Sequence, residues 1–320
     1  MLESADRFLS RQIGRLRQLP TLKRIVFPEG DDPRVRAAAG RLAEERLVEP
    51  VLLSEDLADM PWYAHLYLER RHAKGATKEE ADEKARNPLY RAGLMVAAGD
   101  ADGAVGGATH TTADTVRAAL QCVGMAPGIQ TVSGVFLVCV QDRNFGHDGV
   151  LAFADCAMVV EPSASGIAEI AIATAVTTRT VIGAEPRVAL LSFSTKGSAK
   201  HPSVEKMVEA LRILRCRAPE IDADGELQGD AALVAAVAAS KAPGSTVAGR
   251  ANTLIFPDVA SANIAYKLVE RLGGADAFGP FLQGLAKPYN DVSRGCSADD
   301  IYAAAIVTAL QSEGCTNAAV

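Results

Sequence analysis

Short apolar runs alternate with longer Ala- and Arg-rich stretches along this chain, and that alternation limits the fold more than any single residue does. Arg24-Ile25-Val26-Phe27 closes on Pro28-Glu29-Gly30, and a helical pattern rich in Ala, Arg and Glu starts near Asp32. Val48 to Leu53 gives the next strand. Strand alternating with helix is the mark of a parallel-sheet α/β domain. At 320 residues the chain has room for two such domains, at ~100–200 residues each.

Ahead of the first strand, residues 4–18 read as an amphipathic helix with Phe8, Ile13 and Leu16 on one side. Residues 60–97 are polar and helical in pattern and carry Arg70-Arg71-His72-Ala73-Lys74-Gly75. Such a cation run is commonly a solvated helix end, and a C-terminus capped by Gly75 also favours cations. Ala101 to Gly107 is a strand running into a glycine turn, followed by Thr109-His110-Thr111-Thr112 and a helix from Ala113 to Val123. Hydroxyls and free N–H groups at such a turn suit a phosphate or a carbonyl oxygen, and Arg117 lies in the first turns of the helix. The glycines do not spell GxGxxG, and no GxxxxGK[ST] loop occurs, so neither a dinucleotide nor an NTP site is indicated.

From about residue 130 the pattern changes. Gly134 to Val140 and Val150 to Val160 are two apolar runs joined by a turn-rich connection, read as adjacent strands opening a second domain. A helix (Ser165 to Thr178), a strand (Val188 to Phe193) and the loop Ser194 to Pro202 follow, with Ser203 as the expected cap of the next helix. Asp222 to Gln228 leads into an Ala/Val-rich helix, Leu254 to Phe256 is a strand, and Ser261 is the expected cap of a helix ending near Leu272.

Bulk properties narrow the function. Hydrophobic residues make up 48% and charged residues 22%, which suits a packed soluble core. The net charge of −6 argues against a nucleic-acid partner but not against an anionic substrate, because a few arginines in one cleft outweigh an acidic surface. Cysteines at 122, 139, 156, 216, 296 and 315 form no CxxC motif, so a reduced compartment is expected. Met1 is followed by polar sequence without an apolar signal region, and apolar runs fall short of the ~20 residues of a membrane helix. A soluble cytoplasmic protein without a membrane partner is the expectation. His65, His72, His110, His147 and His201 lack zinc-ligand spacing, so no metal is expected.

The chemistry gathers after Pro288. Ser293-Arg294-Gly295 runs into a helix whose cap would be Ser297, with Asp300 three positions on, at the carboxylate position of a capping box. A hydroxyl, a guanidinium and a permissive glycine at a helix N-terminus attract anions. S-x-x-D is also what an ordinary helix start looks like, and S-R-G what a surface turn looks like. Cys296 adjoins this site, where a helix start is expected to lower a thiol pKa.

SRGCSADDI, QGLAKP and SFSTKGSA resemble the phosphate acetyltransferase family (phosphotransacetylases, phosphate acetyl/butyryl transferases). So do FPEGDDPRV (27–35), GDADGAVGGATHTTADTVRAALQ (99–121), FADCAMVVEPSASGIAEIA (153–171), DGELQGDAA (224–232) and VAASKAPGSTVAGRANTLIFPD (237–258), in order along nearly the whole chain. The resemblance implies two three-layer α/β/α domains with a cleft between them, similar to isocitrate and isopropylmalate dehydrogenases. The first would hold residues 1–129 and 283–320, the second 130–282. It implies a homodimer that interconverts acetyl phosphate and CoA with acetyl-CoA and phosphate, CoA being a substrate and no cofactor being needed. Residue by residue, it places catalysis on Ser293, Arg294 and Asp300, and CoA or phosphate binding on Arg117 and Arg71, with Arg70 adjacent. Thr109, Ser194, Thr195, Lys196 and Lys241 complete the expected binding set. Gly229, after DGELQ, is the mildest departure and implies a packing difference only.

The implied mechanism is a ternary complex: Asp300 takes the thiol proton, the thiolate attacks, Ser293 steadies the oxyanion and Arg294 holds the phosphoryl group. A thiol near ~8.5 is already a few per cent ionised at neutral pH, so the base contributes only about 2 kcal/mol. Preorganised donors supply more, ~3–4 kcal/mol each. Two alternatives stay open: a butyryl or propionyl transferase, since methylenes are worth ~1–3 kcal/mol in an apolar pocket, and a non-catalytic acyl-CoA sensor.

Overall fold

The computed structural model describes residues 3–316, and these divide into two compact units: residues 11–127 with 285–316, and residues 3–10 with 128–284. The strands in chain order are β1 (Lys23–Phe27), β2 (Val48–Leu52), β3 (Gly103–Gly106), β4 (Ser133–Cys139), β5 (Val150–Ala154), β6 (Arg187–Leu191), β7 (Asp222–Leu227), β8 (Thr253–Ile255), β9 (Asp276–Gln283) and β10 (Tyr289–Asp291).

The unit holding residues 11–127 has an all-parallel sheet, ordered β10-β3-β1-β2. Parallel sheets need both faces covered, and β3 shows how this is met. A side-chain carbon at Gly103 would touch Thr308 of the helix Ala298–Thr316, whereas one at Gly106 would touch Leu89 of the helix Pro88–Ala98. Those glycines have opposite parity in the strand, so the two helices lie on opposite faces. The helix Pro33–Glu44 joins Ala298–Thr316, and Thr112–Cys122 joins Pro88–Ala98. Pro33–Glu44 starts where sequence places it, with the Asp32 side chain accepting from Arg34 N–H and Val35 N–H and Pro33 in the first turn. Beneath the Pro88–Ala98 helix a second layer, Pro61–Arg71 and Lys78–Arg86, buries Tyr63, Tyr67 and Tyr90.

In the other unit the sheet runs β7-β6-β8-β5-β4-β9; β4 is antiparallel to β5 and β9, and the remaining pairs are parallel. One face presents Phe136, Val138, Leu151, Phe153, Ala189 and Leu191 to small residues of the helices Gly229–Leu233, Ala235–Lys241 and Val259–Leu272. The helix Ala164–Thr177 packs with the same sheet and with Pro202–Arg217. With the π-turn that follows, Ala164–Ile182 forms a helical stretch of 19 residues that is long and apolar enough by composition to cross a membrane, although it carries Glu169 and Arg179. Two thirds of it (67%) is buried within the unit, as befits a core helix.

Several expected boundaries move. The strand expected through Val160 stops at Ala154, because the Asp155 carboxylate accepts from the N–H groups of Gly134, Ala157, Met158 and Val159 and turns the chain. Asp222 to Leu227 is a sheet-edge strand rather than a lead-in loop. Residues 276–283 and 289–291 are strands that polar and Gly/Pro content concealed. Ser203 and Ser261 are not caps: His201 Nδ1 accepts from Ser203 N–H, and Asp258 accepts from Ser261 N–H at 2.8 Å.

Asp258 is therefore the group whose loss exposes the Val259–Leu272 helix start. Asp258→Ala should cost about 1 kcal/mol in urea unfolding, and Ser261→Ala, which removes a hydroxyl bonded back to Asp258 O, clearly less. Equal costs would contradict the assignment.

Candidate functional site

Three strands of the parallel sheet end at one edge, and their C-terminal residues build the site. β1 ends at Phe27 and leads to Glu29, 7% exposed. Its carboxylate accepts from the N–H groups of Ala108 (2.7 Å), Thr109 (2.8 Å) and His110 (3.0 Å), from Thr109 Oγ1 (3.0 Å), and pairs with His110 Nδ1 (2.7 Å). Burial pushes the Glu29 pKa up, but His110 and the Thr109 and Ala108 donors outweigh it and hold it below the ordinary value. The turn that the sequence suggested for a phosphate or carbonyl oxygen is thus filled by the protein's own carboxylate, and Thr109 is engaged there.

Arg34 ties this turn to the segment after β10. Nη1 donates to Arg294 O (2.8 Å) and Cys296 O (2.9 Å), Nη2 donates to Ala108 O (2.8 Å), and the Asp32 carboxylate orients the fork from behind. Ser293 and Arg294 are exposed within this held segment; Ser293 Oγ accepts from Gly295 N–H, and Cys296 N–H donates to Ser293 O. Among the described residues no carboxylate pairs with the Arg294 guanidinium. Asp300 completes a reciprocal capping box: its Oδ2 accepts from Ser297 N–H and Oγ, both 2.8 Å, and its N–H donates to Ser297 Oγ. The local alternative to catalysis is therefore realised, with Oδ1 left over. Burial raises the Cys296 thiol pKa, with Arg34 opposing and Asp300, Asp32 and Glu29 adding, contrary to the lowered value expected at a helix start.

Arg71 and Arg117 meet in one groove of about 840 Å³ between the Pro61–Arg71 and Thr112–Cys122 helices, together with Arg70, Lys74 and Gln121. Arg70 is committed to Val123 O (2.6 Å) and Arg117 to Asp114 (2.7 Å), whereas Arg71 has no ion pair among the described residues. Of the two adjacent arginines, Arg70 spends one guanidinium nitrogen on a carbonyl, and neither has an ion pair among the described residues.

Ser194, Thr195, Lys196 and Lys241 come together in the other unit. Ser194, fully buried, donates to Glu226 (2.7 Å), and Thr195 Oγ1 accepts from Gln228 N–H (2.9 Å). Lys196 pairs with Asp224, and Lys241 donates to Gln228 (3.0 Å) and Asp230 (2.9 Å). Burial alone would raise the Asp224 pKa, but Lys196 and Ser245 bring it below the ordinary value. These side chains hold their own loop, and their ammonium charges are internally matched.

A family model described as phosphate acetyl/butaryl transferase matches residues 54–309. The chain belongs to this family. A phosphate acetyltransferase of Paracoccus denitrificans is 46% identical over 306 residues, covering 91% of this chain and 95% of the relative. One from Acetivibrio thermocellus is 47% identical over 285 residues, covering 89% and 85%. A phosphotransacetylase structure from Streptococcus pyogenes superposes with a TM-score of 0.89 at 45% identity, over 95% of this chain and 98% of that one. The chain is thus an acyltransferase of this family.

Sequence reasoning missed Glu29, Arg34 and Asp291. Asp291, 6% exposed, accepts from Thr112 Oγ1 at 2.6 Å, while its Oδ1 has no partner. Burial pushes its pKa up to about 6, the hydroxyls of Thr112 and Thr115 opposing and Glu29 adding. The signal was present for Glu29 and Arg34 in FPEGDDPRV, where a Glu and an Arg flank a strand end.

Glu29 makes a pH-dependent contribution. Its folded pKa is depressed, so the stabilisation is complete above the ordinary glutamate value of 4.5 and is lost as pH falls through the lower folded value. Glu29→Gln should cost about 2–3 kcal/mol in urea unfolding at pH 7, converging on wild type in strong acid. A cost below about 0.5 kcal/mol at pH 7 would contradict the arrangement.

Proposed function

We propose that this chain transfers an acetyl group reversibly between acetyl phosphate and CoA, by direct attack of the CoA thiolate in a ternary complex. The observation that carries the reading is the held Ser293-Arg294 segment, which presents an unpaired guanidinium at a helix start within the matched family region. The thiol proton passes to Asp300, whose Oδ1 is not used by the cap. A new S–C bond forms at the acyl carbon, and the C–O bond to phosphate breaks with its electron pair leaving on phosphate. Ser293 donates to the developing oxyanion, and Arg294 meets the phosphoryl oxygens through its planar fork. Arg71 and Arg117 supply the cationic groove for CoA's own phosphates. Lys196 and Lys241 would join only by giving up an internal carboxylate. CoA is a substrate in this scheme and no resident cofactor takes part.

The same proposal includes a cytoplasmic setting, which the free Cys122, Cys139, Cys156, Cys216 and Cys296 support. It includes a homodimer, implied by the family resemblance. Ile264, Leu268 and Leu272, at 60%, 51% and 82% exposure, form an apolar stripe on the Val259–Leu272 helix that a second copy would cover.

Thioester formation from CoA with acetyl, propionyl and butyryl phosphate, compared by kcat/KM, tests the function. Acetyl preference supports the reading; butyryl preference keeps the mechanism and changes the substrate; no turnover with tight acetyl-CoA binding makes the chain a sensor. The base assignment has its own check. Asp300→Asn should lose activity in a way that eases as pH rises toward the thiol's ~8.5, whereas Ser297→Ala, which breaks the cap but keeps the carboxylate, should show no such easing. A pH-independent defect shared by both variants would reduce Asp300 to a cap.

A further inference from the structure

We propose that Asp291 is a positioning residue for the acetyl transfer, a buried anion that locks the start of the Thr112 helix to the segment carrying Ser293 and Arg294; this rests on the functional reading above. Asp291 is the last residue of β10, paired in register with Gly106, and Val292 N–H donates to Gly106 O at 2.8 Å. The backbone on both sides is fixed, and Ser293 follows two positions on. From across the sheet edge, Thr112 Oγ1 donates to Asp291 Oδ2 at 2.6 Å, and Thr112 opens the helix that presents Arg117 to the groove. One carboxylate therefore joins the oxyanion and phosphoryl donors to the helix that carries a CoA-side cation.

The other oxygen makes the case. Asp291 Oδ1 is buried without a hydrogen bond, wedged against the glycine turn, and the nearby Thr115 hydroxyl donates to Thr111 O instead. A side-chain carbon at Gly107 (φ +99°) would sit 2.1 Å from that oxygen and 2.5 Å from Val292 O, so only glycine fits. A half-satisfied carboxylate in a core lowers stability relative to an amide of the same shape. Groups that break such a rule are expected where function requires them.

The groups facing Asp291 define its titration. Glu29, below the β1 end, is a like charge; Thr112 and Thr115 present hydroxyls from their helix; Tyr289 is a buried phenol on the same strand. His110 and Arg34 stand one step away, engaged with Glu29 and Ala108 O. With its pKa near 6, Asp291 is ionised at neutral pH and takes a proton in mild acid, which weakens the bond from Thr112. The folded pKa is raised above the ordinary 3.8, so the folded state binds the proton more tightly and stability falls as pH rises from 3.8 through about 6.

The test uses the full chain, with Asp291→Asn and Thr112→Val. Thioester formation is followed from pH 5 to 8.5 and thermal unfolding from pH 3.5 to 8, these ranges chosen as roughly bracketing the expected titration. Asp291→Asn should lose roughly tenfold in kcat at pH 7.5 and lose the acid limb near pH 6, yet unfold at a higher temperature than wild type at pH 7.5, the gain vanishing in strong acid. Thr112→Val should move the acid limb upward, since its hydroxyl stabilises the ionised form. An Asp291→Asn protein that is less stable, or does not fold, would make the residue merely structural and overturn the proposal. An active wild type whose acid limb is unmoved by both substitutions would also overturn it. A wild type forming no thioester would overturn the functional reading and this proposal together.

Discussion

The Glu29 carboxylate occupies the place where the start of the Thr112 helix would otherwise invite an outside anion, and the arrangement of the site follows from that. Three consecutive backbone N–H groups and the Thr109 and His110 side chains converge on it, so the turn after β3 is fixed from within. Once the turn is fixed, Ala108 O becomes an anchor for Arg34, and Arg34 in turn holds the carbonyls of Arg294 and Cys296. The segment after β10 is thereby held at two of its carbonyls, the kind of preorganisation that the proposed electrostatic role requires.

The distribution of charge has the same logic. Most cations near the expected binding residues already have partners: Arg34 with Asp32, Arg117 with Asp114, Lys196 with Asp224, Lys241 with Asp230. Arg294 and Arg71 are without ion pairs among the described residues. A chain of net charge −6 can therefore receive anionic substrates through a few unpaired guanidiniums rather than through a basic surface.

What was legible in the sequence was local. The Ser297–Asp300 capping box spans four residues and forms as its spacing requires, and the Asp32 cap does likewise. Strands with a run of β-branched or aromatic residues, such as Lys23–Phe27, could be read directly. The strand Tyr289–Asp291 could not, because three polar-looking residues carry no alternation; its strand character comes from pairing with β3. The framework behind the site was invisible for a related reason. Glu29 finds His110 81 positions away, Arg34 finds Cys296 262 positions away, and Asp291 finds Thr112 179 positions away. The family resemblance supplied Ser293, Arg294 and Asp300, but only the fold shows what holds them and that Cys296 is a buried, raised-pKa thiol rather than an activated one.

Stabilising the charge that builds during acyl transfer is the role proposed for the unpaired Arg294 guanidinium on the segment held by Arg34. It is tested most directly by the rate of thioester formation from acetyl phosphate at saturating CoA, comparing wild type with Arg294→Gln. A fall of roughly 10²–10³ in kcat with the fold intact is expected, the usual loss for one preorganised donor. A variant within about threefold of wild type, well under 1 kcal/mol of barrier, would contradict it.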